Sequence, residues 1–239
     1  MAIVYVAACL VVIGVNIGSV PAAVSEIVTG AFTPEAGFGG MIGVLIVGFQ
    51  RAAFSNEAGL GSAPIAHSAV KTRYPATEGL VALLEPFVDT VIICTMTALT
   101  IVIADARFWH EGMATVLAGG DEPDGVTVTS ESFATVLPWF PYVLALAVAL
   151  FAISTIITWG YYGQRAWAYL FGSSVTSFRI YNSVFCVFIV IGSVLTLGTV
   201  LDFADAVLFA LALFNIIGLY ILTPVVKAEL AKFRKWLRQ

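Results

Sequence analysis

The chain has 239 residues, of which 60% are hydrophobic and only 11% are charged, whereas ordinary soluble domains carry roughly 25% charged residues. So few charges cannot cover a water-soluble fold, and the formal net charge of −4, with a basic tract only at the C-terminus, gives no indication of nucleic-acid binding. Three cysteines in three separate apolar stretches and two distant histidines exclude a disulfide framework and argue against a transition-metal site.

Long apolar stretches recur along the chain, and several reach the ~20 residues that a helix needs to cross a bilayer. Membrane barrel strands would be only ~10 residues long and would alternate in polarity, which these stretches do not. We therefore predict an all-α integral membrane fold that crosses the bilayer about five times. The apolar stretches are 1–17, 38–49, 79–104, 138–159, 180–201 and 204–226.

The first stretch, 1–17, has no basic residue ahead of its apolar run and no convincing cleavage site. We interpret it as a membrane helix and not as a secretory signal peptide. The following connection contains a short amphipathic segment, PAAVSEIVTGAF, which we expect at the membrane interface.

The segment 37–69, which includes the second apolar stretch, does not fit a lipid-exposed helix. Its middle reads GFQRAAFSNEAGLGSAP, with Arg51 and Glu57 close together among glycines and followed by Pro64. Ionisable groups at bilayer depth must face protein or a watery cavity, and they are functional candidates by default. Glycine and proline disfavour a continuous helix, so we predict a discontinuous helix in segment 37–69 whose freed backbone groups can bind ions or small zwitterions. The alternative is a close helix crossing stabilised by an Arg51–Glu57 pair.

Other acidic residues in or near the spans have structural interpretations. Glu85 and Asp89 share one helix face, and capping or pairing with Lys71 or Arg73 is the favoured explanation over cation transfer. Pro86 between them predicts a kink. Asp202 and Asp205 are expected in an outward-facing turn before the last helix. The long polar connection 105–138 is interpreted as a solvated outward loop.

The distribution of basic residues predicts the orientation, since Lys and Arg favour cytoplasmic loops. If the tail is cytoplasmic, nine of the eleven basic residues lie inside, and only Arg107 lies outside, with Arg51 in a membrane segment. We therefore expect a cytoplasmic C-terminus.

Two long motifs resemble those of the alanine or glycine:cation symporter family. They are RAAFSNEAGLGSAP, in the interrupted segment, and FAISTIITWGYYGQ, later in the chain. VLPWFPYV and EGLVALLEPFVDTVIICT are also similar to that family, so the resemblance runs from about residue 4 to about 226.

The resemblance implies a LeuT-like fold of the APC superfamily, in which this chain supplies the second five-helix repeat with one broken helix. Residues 1–17 would be the end of core helix 5, 18–36 an extracellular connection, 37–226 core helices 6–10, and 227–239 a basic cytoplasmic tail. An N-terminal half, carrying the first broken helix, would be missing from the chain.

The resemblance also implies a substrate site. Phe54, Ser55 and Asn56 would line the unwound helix, and Thr155 and Trp159 would face the substrate, with Trp159 closing the pocket to large side chains. Thr155 and Trp159 are four residues apart and share a helix face. Without the resemblance, Trp159 could be an anchor at the membrane interface.

A cation site is expected on the same helix. Ser154 and Thr155 carry hydroxyl oxygens, which are hard ligands suited to Na⁺, and the Phe151 carbonyl lies one turn earlier. Membrane-helix hydroxyls also bond back to their own backbone, which is the alternative.

The sequence thus predicts a secondary active transporter that resembles a Na⁺-coupled symporter of alanine or glycine and works by alternating access. Its partners would be a small neutral amino acid, Na⁺ and lipid, without a cofactor, in a bacterial or archaeal plasma membrane. A truncated, non-transporting half or structural subunit is the alternative. A membrane enzyme using Arg51 and Glu57 lacks any supporting catalytic motif, so we expect no enzyme.

Overall fold

The computed structural model describes residues 1–32, 41–120 and 123–238, and the regular elements in these ranges are helical. A 3₁₀ turn, Ile17–Ser19, joins the first two helices, and a π-helical stretch, Phe87–Cys94, follows Pro86 inside the fifth. The helices are α1 (Ala2–Val15), α2 (Val20–Gly30), α3 (Met41–Asn56), α4 (Ala63–His67), α5 (Pro75–Ala104), α6 (Arg107–Leu117), α7 (Gly125–Ala134), α8 (Phe140–Phe171), α9 (Val175–Val194) and α10 (Leu197–Leu237).

Four helices of the described chain, α5, α8, α9 and α10, are long and apolar enough to cross a membrane. A fifth crossing is possible if α1 and the helical residues Ile17–Gly30, which meet at an angle of 79°, form one bent span. Many large apolar side chains of these helices are exposed, as expected of surfaces that face lipid. The prediction of an all-helical protein with several apolar spans is confirmed.

The chain divides into two compact units, of which the first comprises Met1–Phe49 and Val88–Ile153. Its core lies where α1 packs on α5 and α7, and the hydroxyl of Tyr5 is 2.7 Å from that of Thr97. Tyr5 also meets Phe133 edge to face, with 5.5 Å between ring centroids. The buried residues of this core are Ala8, Cys9, Val12, Phe133, Phe140 and Leu144.

The second unit comprises Gln50–Phe87 and Ser154–Gln239. Helices α8 and α9 approach closely at Gly160, whose carbonyl accepts a 2.9 Å hydrogen bond from the Tyr181 hydroxyl. A Cβ atom at Gly160 would lie 3.1 Å from the Phe185 ring, so the small residue permits this contact. The end of α10 packs beside the start of α5, where Tyr74 contacts the rings of Phe233 and Trp236.

Two expectations about connections are wrong. The segment interpreted as a solvated loop, 105–138, contains α6 and α7, and α7 buries Phe133 because its apolar face packs against α5 and α1. Asp202 and Asp205 do not lie in a turn, since α10 already begins at Leu197 and includes both.

The structure also extends a predicted element. The interfacial segment after residue 17 forms α2, but part of the expected connection 18–36 and the start of the interrupted segment, residues 33–40, lie outside the described residues. The basic tail continues α10 as a helix to Leu237.

Candidate functional site

The predicted interruption lies between α3 and α4 in the second unit. Helix α3 ends at Asn56, whose Oδ1 accepts a 2.9 Å hydrogen bond from the amide of Ala58. Glu57, Gly59 and Gly61 then adopt positive φ angles of 55°, 84° and 95° before α4 begins. Left-handed backbone stops the hydrogen-bond ladder of a helix, so this segment is unwound. The prediction of a discontinuous helix is confirmed for residues 41–69.

Glu57 connects the unwound segment to α8. The indole Nε1 of Trp159 donates a 3.0 Å hydrogen bond to Oε1 of Glu57, across 102 residues of sequence. Both side chains are half-buried. A carboxylate is a stronger acceptor than a neutral group, so this bond is among the firmer links between the unwound segment and its surroundings.

Asn215 of α10 holds the other side of the unwound segment. Its Nδ2 donates to the carbonyl of Gly59 at 2.8 Å, and a Cβ atom at Gly61 would lie 3.2 Å from its Oδ1. A carbonyl freed by unwinding needs a donor where water is scarce, and an asparagine in an apolar helix needs a partner for the same reason. Asn215 therefore satisfies both requirements in one contact.

An ion pair lies about one and a half turns before the interruption. Arg51 Nη2 of α3 is 2.7 Å from Asp205 Oδ2 of α10, with the arginine side chain 48% exposed and the aspartate 14%. Arg51 is therefore paired with Asp205, and the alternative of an Arg51–Glu57 pair is wrong. The pair explains how the arginine and an aspartate are accommodated in apolar helices.

A second charged cluster follows α4. His67 Nδ1 is 2.6 Å from Glu78 Oε1, and its Nε2 is 3.2 Å from Glu85 Oε1. The expected pairing of Glu85 with Lys71 or Arg73 is wrong, because the partner of Glu85 is His67. The described residues contain no group of three or more His, Cys, Asp or Glu side chains that could hold a metal ion.

The residues predicted to line the substrate site lie at the end of α3 and on α8. Phe54 and Ser55 are exposed in the last turn of α3, and the Asn56 side chain shapes the turn after it. Trp159 lies on α8 and contacts the interruption through Glu57, the residue that directly follows Asn56. The ring of Tyr162 also meets that of Trp159, at 5.9 Å between centroids.

The residues predicted to bind the cation lie in the middle of α8. Ser154 and Thr155 are exposed and belong to the second unit, whereas Phe151 is assigned to the first. The hydroxyl of Thr158 donates to the carbonyl of Ser154 at 2.9 Å, which is the back-bonding described for membrane helices. Thr155 makes no such bond with any described residue. The hydroxyl of Thr158 is therefore already engaged, and Ser154 and Phe151 also take part in interactions of their own.

Sequence reasoning missed the roles of Asp205 and Asn215. Both are polar residues in the apolar stretch that forms α10, which was the available signal, because such residues need partners. Neither the identity of the partner nor its place in the fold could be read from that signal.

Comparisons with known proteins give the class of this chain. The model of the Sodium:alanine symporter family matches residues 1–239. The chain is 36% identical over 236 residues to the sodium/alanine symporter AgcS of Methanococcus maripaludis, covering 98% of this chain and 50% of that protein. It is 34% identical over 240 residues to the amino-acid carrier protein AlsT of Bacillus subtilis, covering 98% of this chain and 49% of that protein.

The apolar helices and these relatives define a multi-pass membrane protein of the transporter class. The chain belongs to the sodium:alanine symporter family. This confirms the resemblance found in the two motifs, and it confirms that the chain is not an enzyme, since the family consists of symporters. The chain spans about half the length of the curated relatives that it matches.

Proposed function

We propose that this chain forms the substrate-binding part of a Na⁺-coupled symporter for a small neutral amino acid, alanine or glycine. The observation that carries the proposal is the unwound segment between α3 and α4, tied to α8 by the Glu57–Trp159 hydrogen bond. The relatives support the ion and the substrate, since AgcS is named a sodium/alanine symporter. A probable sodium/glutamine symporter of Bacillus subtilis, 31% identical over 98% of this chain and 47% of that protein, supports coupling to Na⁺.

In this proposal the unwound segment meets the charged groups of an amino-acid zwitterion through its backbone. Carbonyls released at the interruption would favour an ammonium group or a cation. At the start of α4 only the N–H of Ala63 would be offered to a carboxylate, because Pro64 has no N–H and those of Ile65 and Ala66 are bonded to the Ser62 carbonyl. In this proposal Phe54, Ser55 and Asn56 line the segment. Thr155 and Trp159 approach from α8, with Trp159 limiting the size of the substrate.

The cation is proposed to bind beside Ser154 and Thr155, with the carbonyl of Phe151 as a further oxygen ligand. Hydroxyl and carbonyl oxygens suit a hard ion such as Na⁺, although they do not compensate its charge. The substrate carboxylate would supply negative charge, so each ligand would raise the affinity for the other.

We further propose that α3–α4, α5, α8, α9 and α10 form a five-helix repeat of the LeuT-like kind. The order of elements supports this assignment, since one interrupted helix is followed by four long apolar helices. In such folds the site lies at mid-membrane and is exposed to each side in turn. The C-terminus is proposed to be cytoplasmic, in a bacterial or archaeal plasma membrane.

The function is tested by uptake of radiolabelled alanine and glycine into proteoliposomes that hold the complete protein containing this chain. An inward Na⁺ gradient should drive accumulation, whereas K⁺ in place of Na⁺ should not. Absence of Na⁺-driven uptake of any small neutral amino acid would overturn the proposal. Uptake that follows a proton gradient equally well without Na⁺ would overturn the choice of ion.

A matched pair of variants on α8 tests the cation site. Thr155→Ala should raise the Na⁺ concentration for half-maximal uptake and weaken alanine as well, since the two ligands are linked. Thr158→Ala should do much less, because that hydroxyl is bonded to the Ser154 carbonyl. If Thr158→Ala abolished the Na⁺ dependence and Thr155→Ala left it unchanged, the proposed side of α8 would be wrong.

A further inference from the structure

Glu57 is the acidic residue of the unwound segment, and its carboxylate has one hydrogen-bond partner among the described residues, the indole of Trp159. Its ionisable neighbour Arg51 is engaged with Asp205. Glu57 therefore forms no ion pair within the described chain, although a carboxylate among apolar helices normally has one. The interaction that the Glu57 carboxylate makes is therefore the hydrogen bond that it accepts from the Trp159 indole.

The backbone of Glu57 points to the same conclusion. Its φ of 55° lies in the left-handed region, which is unfavourable for a residue other than glycine, asparagine or aspartate. Gly59 and Gly61, two and four residues later, adopt positive φ at little cost because they are glycines. Strained backbone persists where the surroundings over-determine it, and at Glu57 the strain aims a long acceptor side chain at α8.

For Trp159 this bond is decisive, because an indole has one donor and no acceptor. With Nε1 held by Glu57, the plane of the ring is fixed relative to the unwound segment. Without an acceptor the donor is left unsatisfied, and the ring is free to turn towards another partner.

We propose that Glu57 is a positioning residue, which fixes the Trp159 indole and so sets the upper size limit of the substrate pocket. The proposal rests on the proposed function, in which Trp159 faces the substrate. Glu57 then acts as an acceptor on the tryptophan and does not bind the substrate or the ion. An equally placed neutral acceptor should replace it.

Two substitutions at Glu57 separate the acceptor from the charge. Glu57→Gln keeps an oxygen that can accept from Nε1, whereas Glu57→Ala removes it, and neither residue is a glycine that would relieve the backbone. Trp159→Phe removes the donor and keeps an aromatic ring. The control is Ser177→Ala, which removes the acceptor of another α8 tryptophan, Trp167, whose Nε1 donates to the Ser177 hydroxyl at 2.9 Å.

The measurement is the ratio of the uptake efficiencies of alanine and leucine in proteoliposomes holding the complete protein. Glu57→Ala should lower this preference for alanine by about tenfold, the lower end of the discrimination that one methylene gives in a pocket. Trp159→Phe should lower it similarly, and the double variant should lower it no further than either single one. Glu57→Gln and Ser177→Ala should keep the original ratio.

If Glu57→Gln lowers the alanine-to-leucine ratio as much as Glu57→Ala does, the proposal is overturned, because the charge and not the acceptor would then matter. An equal loss in Ser177→Ala would also overturn it, by showing general loosening. If Glu57→Ala is not recovered folded, Trp159→Phe removes the same bond from the other side and carries the test.

A second readout does not depend on transport. In a background where Trp109, Trp139, Trp167 and Trp236 are phenylalanine, acrylamide quenching reports the mobility of Trp159 alone. Quenching should increase in Glu57→Ala and stay unchanged in Glu57→Gln. If the unmodified protein shows no Na⁺-driven uptake, the proposed function fails, while equal quenching in both variants refutes the positioning by Glu57.

Discussion

Replacing Gly61 by alanine tests how tightly α10 holds the unwound segment, and Gly59 provides the matched comparison. The two glycines have similar φ angles, 95° and 84°, so an alanine at either position costs of order 1–3 kcal/mol in backbone strain. Only at Gly61 does the added Cβ meet another residue, at 3.2 Å from Asn215 Oδ1, whereas nothing lies within 4 Å at Gly59.

The extra methyl group should push Asn215 away from the Gly59 carbonyl. Hydrogen bonds between membrane helices contribute about 0.6 kcal/mol on average and up to about 1.7 kcal/mol, so Gly61→Ala should be less stable than Gly59→Ala by roughly 1 kcal/mol. For a chain of 150–250 residues this corresponds to a Tm lower by about 2–4 °C. Thermal unfolding of the purified variants in detergent measures the difference.

A double variant completes this test. If the methyl group acts through Asn215, then Asn215→Ala should cost less in the Gly61→Ala background than in the unmodified protein, since the hydrogen bond is already lost. The reasoning would be refuted if Gly59→Ala lowered the stability as much as Gly61→Ala and if the effects of Gly61→Ala and Asn215→Ala were strictly additive.

Two further predictions concern the ion pair and the orientation. Because the arginine is about half exposed, the Arg51–Asp205 pair itself should contribute only about 0.2–1 kcal/mol, measured as the coupling between Arg51→Ala and Asp205→Ala in thermal unfolding. The swap Arg51→Asp with Asp205→Arg should recover part of the stability that each single variant loses. A swap worse than the sum of both single variants would show that the pair is not the source of the stability. In a cysteine-free background, Ala118→Cys should react with an impermeant thiol reagent added outside whole cells and Ser173→Cys should not, since both positions are exposed. The reverse labelling pattern would invert the proposed topology.

The interruption could be predicted from the sequence because its signals are local. Arg51, Glu57 and the nearby glycines lie within eleven residues, and each is unfavourable in a continuous helix that faces lipid. The long apolar helices were predictable for the same reason, since length and hydropathy are properties of a single segment.

The contacts that hold the interruption could not be predicted in this way. Glu57 and Trp159 are 102 residues apart, Arg51 and Asp205 are 154 apart, and Gly59 and Asn215 are 156 apart. A membrane helix places polar side chains around its axis every 100°, and which of them meets a distant segment depends on how the helices pack. The sequence therefore indicates that Asn215 needs a partner but not that the partner is a backbone carbonyl.

The error at Asp202 and Asp205 has a related cause. Carboxylates in an apolar stretch favour a break in the span, so the last helix was expected to begin after them. In the structure Asp205 is only 14% exposed and is paired with Arg51, so the helix continues through both aspartates. Because Arg51 neutralises Asp205 in the folded protein, the helix does not need to break at this carboxylate.

Helix α10 has 41 residues and is therefore about 62 Å long, roughly twice the thickness of the hydrocarbon core of a bilayer. The same helix carries Asn215, which binds the unwound segment, and Trp236, whose ring contacts that of Tyr74 at 5.3 Å between centroids. An axial shift of the helix at Asn215 must reach Trp236, unless it is absorbed at Pro224, where the backbone ladder lacks a donor. Either the unwound segment and the Tyr74–Trp236 ring contact move together because one rigid helix joins them, or Pro224 is the hinge between them.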